Sequence, residues 1–215
     1  MPRIERDLSR GKALPEVKWV RRLATVNEQR PLPRGTAARA VARCAVETAR
    51  LLAQRSTHLP KEHVGTQLRF ADGTSGRVFR ETTVDRPLPE DPCLLLVGFR
   101  LRLLRGRWHA LFLWECILNT PLFVGFPGFV SKLWLDRDER GRYRGVYEWD
   151  GPNGAHFYAG ALWRVLDLAC PRGAVHYRVI PGLRRDDVLD NPQLLDAVAP
   201  EEQAAEAWWR LVGRA

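Results

Sequence analysis

The sequence predicts an α+β fold built around one β-hairpin, and three observations predict it. The first is the stretch from Phe126 to Asp150, FPGFVSKLWLDRDERGRYRGVYEWD, where two runs rich in strand formers flank the turn chemistry of RDERGR. The second is an apolar segment with helical spacing on each side of it, WHALFLWECILNT (108–120) before and AHFYAGALWRVLDLA (155–169) after. The third is a further strand beyond each segment, CLLLVGFRLRLL (93–104) and AVHYRVIP (174–181). The order strand, helix, strand, strand, helix, strand is the split βαβ of a ferredoxin-like unit.

Taken in order, residues 1–90 read as an N-terminal extension. Pro15, Pro31, Pro33 and Gly35 break any long element in the first 35 residues. Thr36 suits an N-cap for an amphipathic helix over about 36–56, with Val41, Cys44, Thr48, Leu51 and Leu52 on one side. A hairpin over about 66–84 follows, GTQLRF and RVFRETTV around the turn ADGTSG. RPLPEDP (86–92) is the best internal boundary, and 93–182 forms the ferredoxin-like domain. CLLLVGF is nearly continuous apolar sequence, as a strand buried on both faces requires. Pro121 stops the first helix, and Pro152 suits the first turn of the second. The tail, 183–215, holds a short helix, EEQAAEAWWRLV, whose Trp208, Trp209 and Leu211 should dock on the body.

Composition narrows the function. The 215 residues carry a net charge of +9, but residues 1–60 alone hold thirteen Lys/Arg against five Asp/Glu, or +8. The basic character therefore belongs to the extension. It carries no recognition motif and few aromatics, which argues against specific nucleic-acid binding. There is no apolar run of transmembrane length, and the start MPRIERDLSRGK lacks the apolar stretch of a secretory signal. Cys44, Cys93, Cys116 and Cys170 form no CxxC pair, so buried thiols in a cytoplasmic protein are expected rather than a metal site. No metal cluster or nucleotide loop is readable, and no cofactor is expected.

NTPLFVGFPGFVSKLWL, RGVYEWD, the YAGALWRVL helix and VHYRVIPG resemble the dimeric α/β-barrel superfamily, and most nearly its YdhR-like monooxygenase group, over about 93–182. Similar barrels include cofactor-free oxygenases, polyketide cyclases, isomerases and haem-degrading enzymes. The resemblance implies a pocket between the sheet and its helices.

Strand alternation sorts the sheet into two faces. One holds Leu96, Gly98, Arg100, Val130, Lys132, Trp134, Val146, Glu148, His176 and Arg178. It carries charges of both signs and an apolar patch that suits a homodimer interface, with Glu148 near Lys132 and Arg100. The other holds Val97, Phe99, Leu101, Ser131, Leu133, Tyr147, Trp149, Val175, Tyr177 and Val179, and suits the face under the helices. Candidate pocket residues are then Phe99, Phe112, Trp149, Tyr158, Trp163 and Tyr177 as substrate-binding walls. Glu115, Asn119, His156 and Tyr147 are the candidate catalytic groups. Glu115 and Asn119 are four apart and share a helical face, so a buried Glu115 would serve as base and its neighbours as oxyanion donors. The expected activity is oxygenation or cyclisation of an aromatic or polyketide-like small molecule. The alternative is a non-catalytic dimeric module whose basic N-terminal segment meets a partner or an anionic surface.

Overall fold

A computed structural model describes residues 31–102, 123–198 and 207–214. The elements are α1 (Arg34–Ala53), β1 (Thr57–His58), β2 (Gln67–Phe70), β3 (Ser75–Val84), β4 (Pro92–Phe99), β5 (Phe129–Leu135), β6 (Tyr143–Asp150), α2 (Pro152–Ala169), β7 (Val175–Pro181), α3 (Arg185–Asp190), a 3-10 turn (Pro192–Leu195) and β8 (Leu211–Arg214). The segment expected as the first barrel helix, 108–120, lies outside the described residues.

Among the described residues eight strands form one antiparallel sheet in the order β7-β4-β6-β5-β3-β2-β8, with β1 also paired to β3. The run β7-β4-β6-β5 is the ferredoxin-like order expected from the sequence, and the fold is α+β. The N-terminal hairpin extends the same sheet: β3 pairs with β5 from Val78↔Leu135 to Thr83↔Ser131. β4 is shorter than its apolar run suggested and ends at Phe99.

The long helix α1 forms from an Ala-rich sequence of high helical propensity. It begins at Arg34, so Thr36 is not its N-cap; Pro33 precedes it without a side-chain cap. It ends in a Schellman motif, with Ser56 N–H to Leu51 O and Arg55 N–H to Leu52 O, both 3.0 Å, around Arg55 at φ 57°. Ala37, Ala40, Cys44, Thr48 and Leu51 are buried, close to the expected stripe, whereas Leu52 is half exposed.

Two cores lie on the two faces of the sheet. The helix face gathers Leu95, Val97, Phe129, Tyr147, Trp149 and Tyr177 with Tyr158 and Ala159 of α2 and Cys44 of α1. The other face gathers Leu94, Leu96, Leu133, Val146 and Ile180 with Val188, Leu189, Leu195, Trp208, Trp209 and Leu211. Residues 183–198 and 207–214 thus cover the second face as a strap. The tail is not the expected helix at its end: 207–210 is a turn, 211–214 is a strand on β2, and 199–206 lies outside the described residues. Trp208, Trp209 and Leu211 do dock, each no more than 8% exposed.

Buried charge holds the strap. Arg184 Nε donates to Glu148 Oε1 at 3.1 Å, and Arg185 Nη2 pairs with Glu81 Oε1 at 2.8 Å, with His63 Nδ1 on the other carboxylate oxygen at 3.0 Å. Arg144 donates to Trp208 O at 3.0 Å and pairs with Asp72 and Asp138 at 3.1 and 2.7 Å. Glu148 therefore meets Arg184 from the strap, not Lys132 or Arg100 as alternation suggested. Of the apolar residues that suited a dimer through this face, Leu96, Val146 and Ile180 are covered by the strap, and Trp134 packs on the other face.

Candidate functional site

The expected parity holds for β4, β6 and β7 and inverts in β5. Phe129 pairs with Trp149, but Ser131 pairs with Glu148, so β5 advances two residues against one. This bulge at Val130 exchanges the faces of everything after it. Ser131 and Leu133 turn toward the strap, and Lys132 and Trp134 turn toward the helices. Sequence alternation had placed all four on the wrong face.

Lys132 is consequently only 5% exposed, and its ammonium stands among aromatic rings. Nζ lies 3.0 Å from the ring centroid of Trp134, 4.5 Å from that of Phe123 and 4.6 Å from that of Tyr147. Each ring presents the negative face of its quadrupole to the cation, which offsets part of its desolvation. Trp134 is fixed by an indole N–H to Thr82 Oγ1 at 3.3 Å, from the adjacent strand.

Tyr147 lies beside this cation. Tyr158 of α2 donates its hydroxyl to Tyr147 Oη at 3.2 Å, and both are buried. Burial pushes the Tyr158 phenol well above its ordinary range, so it stays protonated and serves as a donor. Because Tyr147 accepts from Tyr158, its own O–H is directed away from that partner. Trp149 lies 4.9 Å from Tyr158 with the rings tilted and is fully buried, and among the described residues its indole N–H has no acceptor. An orphaned buried donor is costly, and a bound acceptor would relieve it.

The remaining expected wall residues do not all join this cluster. Tyr177 is buried and meets His156 and Trp163 edge-on at 5.9 and 6.1 Å, along the side of α2 that covers β7. His156 is half-buried, and desolvation lowers its pKa, so it is a neutral imidazole near pH 7. Phe99 stacks on Tyr143 at 5.7 Å where β4 leaves the sheet. Phe112, Glu115 and Asn119 lie outside the described residues. Lys132 was missed as a site residue. Its only signal was a lysine inside the apolar run FVSKLWL.

A cleft of about 700 Å³ opens elsewhere, between α1, the loop before β5 and the start of α2. Among its lining residues are Arg39, Arg43, Arg86, Phe126 and Phe157. Among the described residues there is no cluster of metal-ligating side chains and no helix long and apolar enough to cross a membrane.

No family model matches the chain, and no curated protein matches it. Solved structures do. An uncharacterized ferredoxin-fold protein related to antibiotic biosynthesis monooxygenases, from Listeria monocytogenes, matches at TM-score 0.38 and 15% identity, over 51% of this chain and 64% of its own. A monooxygenase-like protein from Listeria innocua matches at 0.35 and 14%, over 52% and 66%. A heme-degrading enzyme from Listeria monocytogenes matches at 0.36 and 14%, over 57% and 95%. The matches span less than two thirds of the first two proteins.

Proposed function

We propose that the protein is a small-molecule enzyme, an oxygenase or cyclase acting on an aromatic or polyketide-like compound held between the helix face of the sheet and the helices. The observation that supports this reading is Lys132, a buried cation ringed by Trp134, Phe123 and Tyr147 next to the Tyr147–Tyr158 hydroxyl pair. A preorganised ammonium in a water-poor aromatic setting stabilises a phenolate or enolate far better than water-exposed charge does. Such an anion is the intermediate common to both reactions: its carbon attacks dioxygen in one and a carbonyl of the same molecule in the other.

The roles divide by chemistry. Lys132 balances the developing oxyanion. Tyr147 and the indole N–H of Trp149 supply hydrogen bonds on the same face of the sheet. Glu115 and Asn119 belong to the proposal as base and donor from the preceding helix, on the strength of the sequence alone. His156 is a neutral base beside Tyr177.

The test is aerobic incubation of the full chain with a panel of phenolic and 1,3-diketone aromatics, followed by oxygen uptake and product mass. At least one compound should be converted, and Lys132→Met should lower kcat/KM about a hundredfold, the scale of one lost oxyanion contact. A panel without turnover, or Lys132→Met at the wild-type rate, overturns the proposal.

A further inference from the structure

We infer that the cleft between α1 and the loop before β5 binds an anionic amphipathic molecule, with a carboxylate or phosphate head set against an aromatic or aliphatic body. The site is separate from the interior cluster and does not rest on it.

The head group follows from unspent donors. Arg39 and Arg43 line the cleft from α1, and Arg86 lines it from the linker before β4. Among the described residues neither Arg39 nor Arg43 meets a carboxylate or any other hydrogen-bond partner. Arg86 has one long contact, Nη2 to Phe126 O at 3.5 Å. Each guanidinium carries five N–H donors in a planar fork that matches the two oxygens of a carboxylate or phosphate. Among the described residues Glu47 is the one lining carboxylate, and Arg50 Nε pairs with it at 3.2 Å. Arg39 and Arg43 stand four residues apart on one helical face, where like charges repel. An anion between them turns that repulsion into attraction. Arg86 is half-buried, and desolvation lowers its pKa although the carboxylates of Glu47 and Asp150 pull it the other way, so the charge is held partly away from water.

The body follows from the opposite wall. Phe126, Pro127 and Phe157 line it, and Phe157 is 42% exposed, a large apolar ring with no cover on its open side. Phe126, itself buried, backs Phe157 at 6.3 Å and tilted, which leaves the exposed ring of Phe157 for a planar ring or an alkyl chain.

The cleft is preformed. At one end the N–H of Leu32 bonds to Gly160 O at 3.0 Å and Arg164 Nε bonds to Leu32 O at 2.6 Å, tying the entry of α1 to α2. At the other end α1 sits directly on Gly125, where an added Cβ would collide with the Cys44 carbonyl and the Thr48 backbone. A site fixed at both ends needs little ordering on binding.

Calorimetric titration of the full chain with 2-naphthoate, 2-naphthyl phosphate and the neutral 2-naphthalenemethanol tests this. One or both anions should bind while the alcohol binds at least about tenfold more weakly, the scale of one charge-assisted bond. The tighter of the two anions identifies the head group. Added salt should weaken anion binding. Arg39→Gln/Arg43→Gln should lose at least about tenfold in affinity for the anions. These side chains are solvent-exposed, so an unchanged circular dichroism spectrum and melting temperature keep that result interpretable. Phe157→Ala should weaken both anions. Equal affinity for the alcohol, no binding of either anion, or full affinity in the double arginine variant overturns the inference.

Discussion

The strap over the second face of the sheet should depend on one buried ion pair, and Arg185→Met measures it. The side chains of Arg185 and Glu81 are 5% and 2% exposed, with 2.8 Å between Nη2 and Oε1. Methionine keeps most of the length and apolar contact of arginine but removes the charge, leaving the Glu81 carboxylate buried. Breaking one side of such a pair costs about 3–5 kcal/mol, because the remaining charge is uncompensated. His63 stays 3.0 Å away on the other oxygen, which places the expected loss at the lower end, near 3 kcal/mol. For a chain of this size that lowers Tm by about 6–12 °C. Urea denaturation gives the free energy and calorimetry the Tm. Glu81→Gln/Arg185→Met should recover part of the loss, since a neutral amide tolerates burial better than an unpaired carboxylate. If Arg185→Met lies within about 0.5 kcal/mol of wild type, the pair is an ordinary surface contact and the strap is held by its apolar side chains alone.

Because the strap covers Leu96, Val146 and Ile180, light scattering at micromolar concentration should give a mass near 24.6 kDa; a doubled mass would require a different interface. His156 and His176 both have pKa values lowered by desolvation, so the folded chain refuses protons that the unfolded chain takes as pH falls through about 6.5. Stability should therefore drop from pH 7.5 to 5.5, and His156→Gln/His176→Gln should flatten that part of the curve. Burial pushes the Cys93 thiol up to about 12, so mass-mapped alkylation of the native protein at pH 8 should leave it unmodified; rapid labelling would show that β4 opens.

Much of the fold was legible because period and punctuation agree along the chain. Gly and Pro bracket each strand of 93–182, and the four strands pair in the expected order. The strap was half legible: Trp208 and Trp209 announced docking, but their backbone was read as helix because EEQAAEAWWRLV has helical composition and its strand pairing depends on distant β2. The bulge was not legible. Alternation assigns faces only while each residue of one strand meets one of the next, and nothing in FVSKLWL marks Val130 as the extra residue. That single residue decided whether Lys132 pointed at Glu148 or into the aromatic interior, so the candidate site was misread where the rest of the sheet was sorted correctly. The arginine cleft escaped for another reason. Arg39 and Arg43 lie off the apolar side of an amphipathic helix, where arginines are ordinary, and only tertiary packing brings Arg86 and Phe157 to the same place.

Lys132 also allows function to be separated from stability in one substitution. A buried ammonium loses hydration worth several kcal/mol, and the rings of Trp134, Phe123 and Tyr147 return about 0.5–2 kcal/mol each of it. Replacing a buried charge by a well-packed apolar group of similar volume is often neutral or stabilising. A residue kept for catalysis should show that trade: Lys132→Met should melt at or above the wild-type temperature while losing turnover. Met follows the same path between the rings, and its thioether makes favourable contacts with them. The measurement is a melting curve beside the kinetic assay. A fall in stability of about 3 kcal/mol or more would mean that the ammonium neutralises a buried carboxylate. Lys132 would then be part of the architecture of the helix face, and the oxyanion role proposed for it would fail.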